Sequence, residues 1–291
     1  MQISLRARGI FQILCSGLCF AFLGTFAKIA GQRQIDILSL LGVRFLFAGV
    51  LLFLICFFMG KVHLQRSQFL KSVLMGVLGY ASFSFFYFKS LGGMAAGTAV
   101  VILFLYPVFV YLFELIQARQ WPALKMIAVL IVSLGGVFLL VNGELNIERP
   151  QAFLYGFLAS LLYGTYVFLS AKYAKGLEPY FSTSLIQISA GLCLCFLAPL
   201  GPVNLFHLFL DHWDLFLGLS FISSILPMTL FLLAAQKITS FELSVLNVTE
   251  PLFGIIFSAV LLGETLTALQ LLGAVLVLAV SVEVSRAKPT F

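Results

Sequence analysis

From Phe11 to Val284 the chain is a succession of apolar runs, each ended by charge, glycine or proline. Each run is about 20 residues long, and at about 1.5 Å per residue such a helix spans a hydrocarbon core of about 30 Å. No soluble core needs so many helices of that length. The runs fall at 10–29, 36–59, 69–89, 94–117, 122–141, 152–172, 180–200, 214–235, 242–262 and 267–285. They predict an all-α membrane protein of ten transmembrane helices. Composition agrees, since 62% of the residues are hydrophobic and 10% are charged, against about 25% charged in a soluble domain. The weakly hydrophobic stretches are loop-sized, so no separate soluble domain is expected and function belongs within the bilayer.

Short connections make consecutive helices neighbours and alternate their direction. With ten spans both termini share a side, and the Lys/Arg distribution says which. Arg6, Arg8, Lys61, Arg66, Lys71, Arg119, Lys125, Lys172, Lys175, Lys237, Arg286 and Lys288 fall on the terminal side, whereas Lys28, Arg33, Lys89 and Arg149 fall opposite. Both termini are therefore expected in the cytoplasm. The same bias accounts for the net charge of +6 without a nucleic-acid partner, because the cations are spread over short loops. The first apolar run follows Arg6 and Arg8 but continues to about Ala30, too long for a cleaved signal peptide. Cys15, Cys19, Cys56, Cys193 and Cys195 all sit inside apolar runs and read as small packing residues.

The second half of the chain repeats the first at an offset of 144. Ser16, Leu18, Ala27, Lys28 and Ala30 fall on Ser160, Leu162, Ala171, Lys172 and Ala174, and Tyr87, Pro107, Phe109 and Phe113 fall on Phe231, Pro251, Phe253 and Phe257. One further residue of offset aligns the run from Pro122 with the run from Thr267. Two five-helix units, 1–145 and 146–291, are the simplest account. An odd number of spans per unit inverts the second copy in the membrane. A site between inverted copies can face either side when the copies exchange conformations.

The stretch YPVFVYLFE from Tyr106 and the longer stretch EPLFGIIFSAVLLGETLTALQLLGAVLVLAVS from Glu250, within a 5+5 helix pattern, resemble the EamA group of the drug/metabolite transporter superfamily. Arg119, Gln120 and Trp121 depart from that pattern where the second half has Gly263 and Glu264. The resemblance covers the whole chain. It implies a carrier of the cytoplasmic (inner) membrane, commonly an exporter of amino acids or related metabolites. Uptake of a nucleoside, nucleotide-like or methyl-donor metabolite fits the same fold. A membrane enzyme or a structural subunit remains the reading from another class.

Two ionisable residues lie deep in the spans, where a charge costs a few kcal/mol and needs a partner or a function. Arg44 and Glu250 each stand eight residues into a span, or about 12 Å. Either they line a substrate cavity, Arg44 facing a carboxylate or phosphate and Glu250 an ammonium or a proton, or they form a packing ion pair. Tyr87, Tyr106, Tyr166, Gln187 and Asn247 supply further polar groups at similar depth, with Tyr80, Ser84 and Tyr163 beside them. Pro107, Pro251 and Pro227 interrupt spans and are the expected hinges. Glu114 is expected to snorkel to water, and Lys28, Lys89, Lys172 and Glu242 to lie at the interface. Gly93/Gly97 and Gly156/Ser160/Gly164 have the spacing of close helix contacts. His207, Asp211 and His212 share a segment with Phe209 and Trp213, which reads as an interfacial helix rather than a metal site. No catalytic residue, metal site or cofactor is expected. The partners expected are the lipid bilayer and a small-molecule substrate, and no nucleotide-binding motif is present, which leaves facilitated diffusion or proton coupling. The sequence assigns no oligomeric state.

Overall fold

A computed structural model describes residues 4–62, 65–199, 201–262 and 265–286. His63, Gly263, Glu264 and Lys288, and the side chain of Lys28, lie outside the described set. The described residues form helices joined by short turns. These are α1 (Leu5–Gln32), α2 (Ile37–Phe58), α3 (Arg66–Leu91), α4 (Ala96–Ala118), α5 (Leu124–Leu140), α6 (Pro150–Tyr173), α7 (Pro179–Leu197), α8 (Pro202–Asp211) and α9 (Trp213–Ala235). They are followed by α10, in two pieces Ser240–Asn247 and Thr249–Leu262, and α11 (Ala268–Arg286). Nine of them are long and apolar enough to cross a membrane, and α5 is a shorter apolar helix of 17 residues. The protein is a multi-pass membrane protein.

The short α8 is amphipathic. Leu205, Leu208 and Phe209 pack toward Leu215 and Phe216, while Phe206 and Leu210 are exposed. A bidentate ion pair from Arg33 to Asp214, 2.8 and 3.0 Å, ties the α1–α2 turn to the start of α9.

Helix packing repeats between the halves. α2 lies along α7 and α5 along α11; α3 packs on α6 as α9 packs on α1; α4 packs on α6 as α10 packs on α1. The α2–α7 crossing is close enough to exclude any side chain at Gly191, where a Cβ would meet the Leu46 amide nitrogen at 2.4 Å. In α6, Gly164 lies against Tyr106 in the same way, with the Tyr106 carbonyl oxygen 3.0 Å from the place of a Cβ.

The prolines act differently from the expected mid-helix kinks. In α4 the chain tightens at Phe104 and Leu105, with Leu105 N–H bonding Ile102 O (3.2 Å) and Val108 N–H bonding Leu105 O (2.9 Å), so Ala96–Leu103 (α4a) and Tyr106–Ala118 (α4b) are separate helices. In α10 the same tightening at Val248 separates Ser240–Asn247 (α10a) from Thr249–Leu262 (α10b). Pro107 and Pro251 then stand in the first turn of a restarted helix, where the missing N–H has no partner to lose. Pro227 likewise follows a π-helical turn, Phe221–Ile225, and α3 contains a matching π segment, Met75–Ala81.

The carbonyl four residues before Pro107, on Leu103, accepts the Ser160 hydroxyl at 2.9 Å, and Ser16 donates to Pro227 O at 2.8 Å. Inside a bilayer no water replaces such a bond. Ser160→Ala is expected to lower stability by about 1 kcal/mol, read from the thermal unfolding midpoint of the purified protein; an unchanged midpoint contradicts the assignment.

Candidate substrate site

The π segment of α3 and the two helix breaks border one region of the interior, through Tyr80, Tyr106 and Asn247. An extra residue in a π turn shifts the side chains that follow, and such turns recur at functional sites. In α3 the π segment carries Tyr80. Its ring meets Phe45 of α2 edge-on at 5.0 Å, Phe83 at 4.9 Å and Tyr166 of α6 at 5.3 Å. Tyr163 continues the strip, stacked 6.1 Å from Tyr166, 4.6 Å from Phe83 and 4.6 Å from Tyr106 of α4b. Phe231 of α9 stacks on Tyr166 at 5.8 Å.

Arg44 and Glu250 stand at the two ends of this strip. The Arg44 guanidinium lies over the Phe45 ring at 4.2 Å, and the residue is 2% exposed. Its Nε and Nη1 have no hydrogen-bond acceptor. At the other end Asn247 Nδ2 donates to Tyr163 Oη (3.5 Å) and to Glu250 Oε2 (3.4 Å), and Asn247 Oδ1 is unpartnered. Glu250 and Tyr87 are half-buried. Tyr80, Tyr87, Tyr106 and Tyr163 are all within electrostatic reach of the Glu250 carboxylate.

No ion pair joins Arg44 to Glu250 among the described residues. Of the expected site residues, Arg44, Tyr106, Tyr166, Asn247 and Glu250 belong to one connected strip. Gln187 turns elsewhere: it donates to Ser224 O at 3.3 Å on the π segment of α9, with Oε1 unpartnered. Tyr87 packs with Leu91 and Leu105 against Met94 and Ile102. Phe45, Phe83 and Phe231 are not among the site residues expected from the sequence, because one phenylalanine among 32 carries no such signal until its neighbours are known.

Glu114 departs from expectation. Rather than extending into water it is buried, 8% exposed, and accepts hydrogen bonds from the Ser240 hydroxyl and from Phe241 N–H (3.0 Å). Glu242, at the start of α10, is 5% exposed. Its carboxylate pairs with Arg6 at 2.6 Å and closes a capping box with Thr239. Tyr106 Oη donates to Ser244 O at 2.8 Å and completes the contact between α4b and α10a.

The profile of the EamA-like transporter family matches residues 7–142 and 151–285, one match on each half of the chain. The chain belongs to this family. Among its relatives are an uncharacterized inner membrane transporter, YicL, of Salmonella typhimurium, 25% identical over 281 residues and covering 93% of both chains, and an uncharacterized transporter, YcbK, of Bacillus subtilis, 24% identical over 92% of this chain and 89% of its own. A third, a "probable amino-acid metabolite efflux pump" of Salmonella typhimurium, is 24% identical over 86% of this chain and 85% of its own. A solved crystal structure superposes with a TM-score of 0.79 at 14% identity over 96% of both chains, which establishes a shared fold. Like other members of the EamA-like family, the chain is a membrane transporter.

Proposed function

We propose that the protein is a secondary carrier of the cytoplasmic membrane that exports an amino acid or a related small metabolite by alternating access. Ten spans form two inverted five-helix halves with both termini in the cytoplasm. The strip from Arg44 to Glu250 binds the solute between them. The observation that carries this reading is the state of the two charges. A guanidinium buried without an acceptor and a half-buried carboxylate held by the Asn247 amide, neither neutralising the other, leave one place for an anionic group and one for a cationic group. Aromatic rings between them supply the apolar surface typical of small-molecule sites, with few polar groups setting orientation.

A zwitterion with an apolar body matches that pattern. The efflux-pump relative, at 24% identity, points to the same solute class. Measured from the helix starts, Arg44 lies about 10 Å into α2 and Glu250 about 15 Å into α10. With those helices entering from opposite faces, both groups reach the interior third of the bilayer. Pro107 and Pro251, at the restarts of α4b and α10b, and Pro227 serve as pivots, and protons or the solute gradient supply the energy.

Counterflow in proteoliposomes tests the function. A carrier preloaded with unlabelled amino acid accumulates the labelled species transiently and leaves it chemically unchanged. Chemical conversion of the label, or no accumulation across the set of natural amino acids, defeats the reading.

A further inference from the structure

The two breaks divide α4 and α10 into four short helices that are not packed equally. α4b and α10a lie against one another along their whole contact. Glu114 reaches Ser240 and Phe241, the rings of Tyr111 and Phe241 meet at 5.3 Å, and Tyr106 reaches Ser244 O at 2.8 Å. Beyond that last contact lie Tyr163 and Asn247, and hence the central strip. The corresponding pair, α4a and α10b, has no comparable contact among the described residues. The offset of 144 puts Ser258 where Glu114 stands and Ala96 and Gly97 where Ser240 and Phe241 stand, so that pair carries no carboxylate at the equivalent place.

We propose that the α4b–α10a seam is the gate at the end bearing the N-terminus, and that Glu114 is its latch. Resting on the transport reading above, this assigns the structure to the state closed at that end.

Three observations support the latch. First, Glu114 binds the N-terminal turn of α10a, where unpaired N–H groups and the positive end of the helix dipole attract a carboxylate. Second, α10a does not depend on Glu114 for its cap. Thr239 and Glu242 already close a capping box on the same turn, with Thr239 N–H to Glu242 Oε2 at 3.0 Å and Glu242 N–H to Thr239 Oγ1 at 3.2 Å. The helix therefore keeps its start when Glu114 lets go, and the contact joins two helices rather than completing one. Third, the latch borders a polar cavity of about 500 Å³ lined by Arg6, Glu114, Lys172, Lys175, Lys237 and Glu242. Burial holds the Lys237 ammonium below the usual lysine range, with Arg8 adding like-charge repulsion. The cavity and the central strip thus lie on opposite sides of a seam a few residues thick.

The test reads water access and needs no substrate, so it stands or falls apart from transport. Ser244→Cys, fully buried in the seam, is exposed to a charged, impermeant maleimide in sealed vesicles of both orientations, with labelling resolved by residue in mass spectra. Adding Glu114→Ala is expected to speed labelling of the cysteine at position 244 roughly tenfold from the face bearing Lys172 and Lys237. Glu114→Gln keeps an oxygen that accepts both hydrogen bonds but loses the charge, and should label more slowly than Glu114→Ala. Unchanged labelling with Glu114→Ala overturns the latch. So does equal acceleration at Cys56, which is 1% exposed and far along α2, since general loosening makes Glu114 a packing residue.

Discussion

Arg44→Met is expected to abolish counterflow while raising the thermal unfolding midpoint of the purified carrier. The guanidinium is 2% exposed, and two of its nitrogens lack acceptors. A charge held that way costs about 2 to 3 kcal/mol at depth in a bilayer, offset only in part by the Phe45 ring at 4.2 Å. Methionine fills a similar length without charge, so removing the arginine recovers part of that cost and destroys the anion subsite. Glu250→Gln is expected to lose transport with little change in stability, because the amide still accepts from Asn247. Arg44→Gln should behave as Arg44→Met does, with a smaller gain. The opposite pattern, in which both single variants aggregate and the double variant recovers, identifies a packing ion pair and removes both residues from the site.

Gly191→Val is expected to prevent assembly of the membrane domain. A Cβ at this position would lie 2.4 Å from Leu46 N, 2.7 Å from Leu46 Cα and 3.0 Å from Gly42 O, all backbone atoms that cannot turn aside. Overpacking in a well-filled interior costs about 1 to 3 kcal/mol and more where backbone must move. Here two helices that run along one another would have to separate. Gly24→Val and Gly254→Val meet nothing within 4 Å and serve as controls. Monodispersity in detergent reads the outcome, and a Gly191→Val protein that elutes like the controls contradicts the α2–α7 crossing.

The helices were legible in the sequence because bilayer thickness dictates the length of an apolar run, and the observed helices lie within a few residues of the expected spans. α5, at 17 residues, is the shortest of the helices at the expected spans. Tyr106, Tyr166, Asn247 and Glu250 could be picked out as polar groups at similar depth, and the structure connects them. The π segments could not be read, since Met75–Ala81 and Phe221–Ile225 have the composition of any apolar helix.

Glu114 was misplaced for a different reason. Position along its own helix put it near water, whereas its environment is set by the start of α10a, more than a hundred residues later. Part of that signal was present, since Thr239 and Glu242 stand at the spacing of a capping box and mark a helix start. What covers a helix start is a tertiary fact. Gln187 shows the same point: the side it faces is decided by the α7–α9 contact.

The π segment of α3 makes the register of that helix part of the binding surface. Seven residues there occupy the wider winding, and removing one would let the helix relax to ordinary α geometry. The helix beyond would keep its face, so such a deletion would alter the winding around Tyr80 while leaving Phe83 against Tyr163. The same single-codon deletion in the α-helical part of α3 would turn everything beyond it by about 100°.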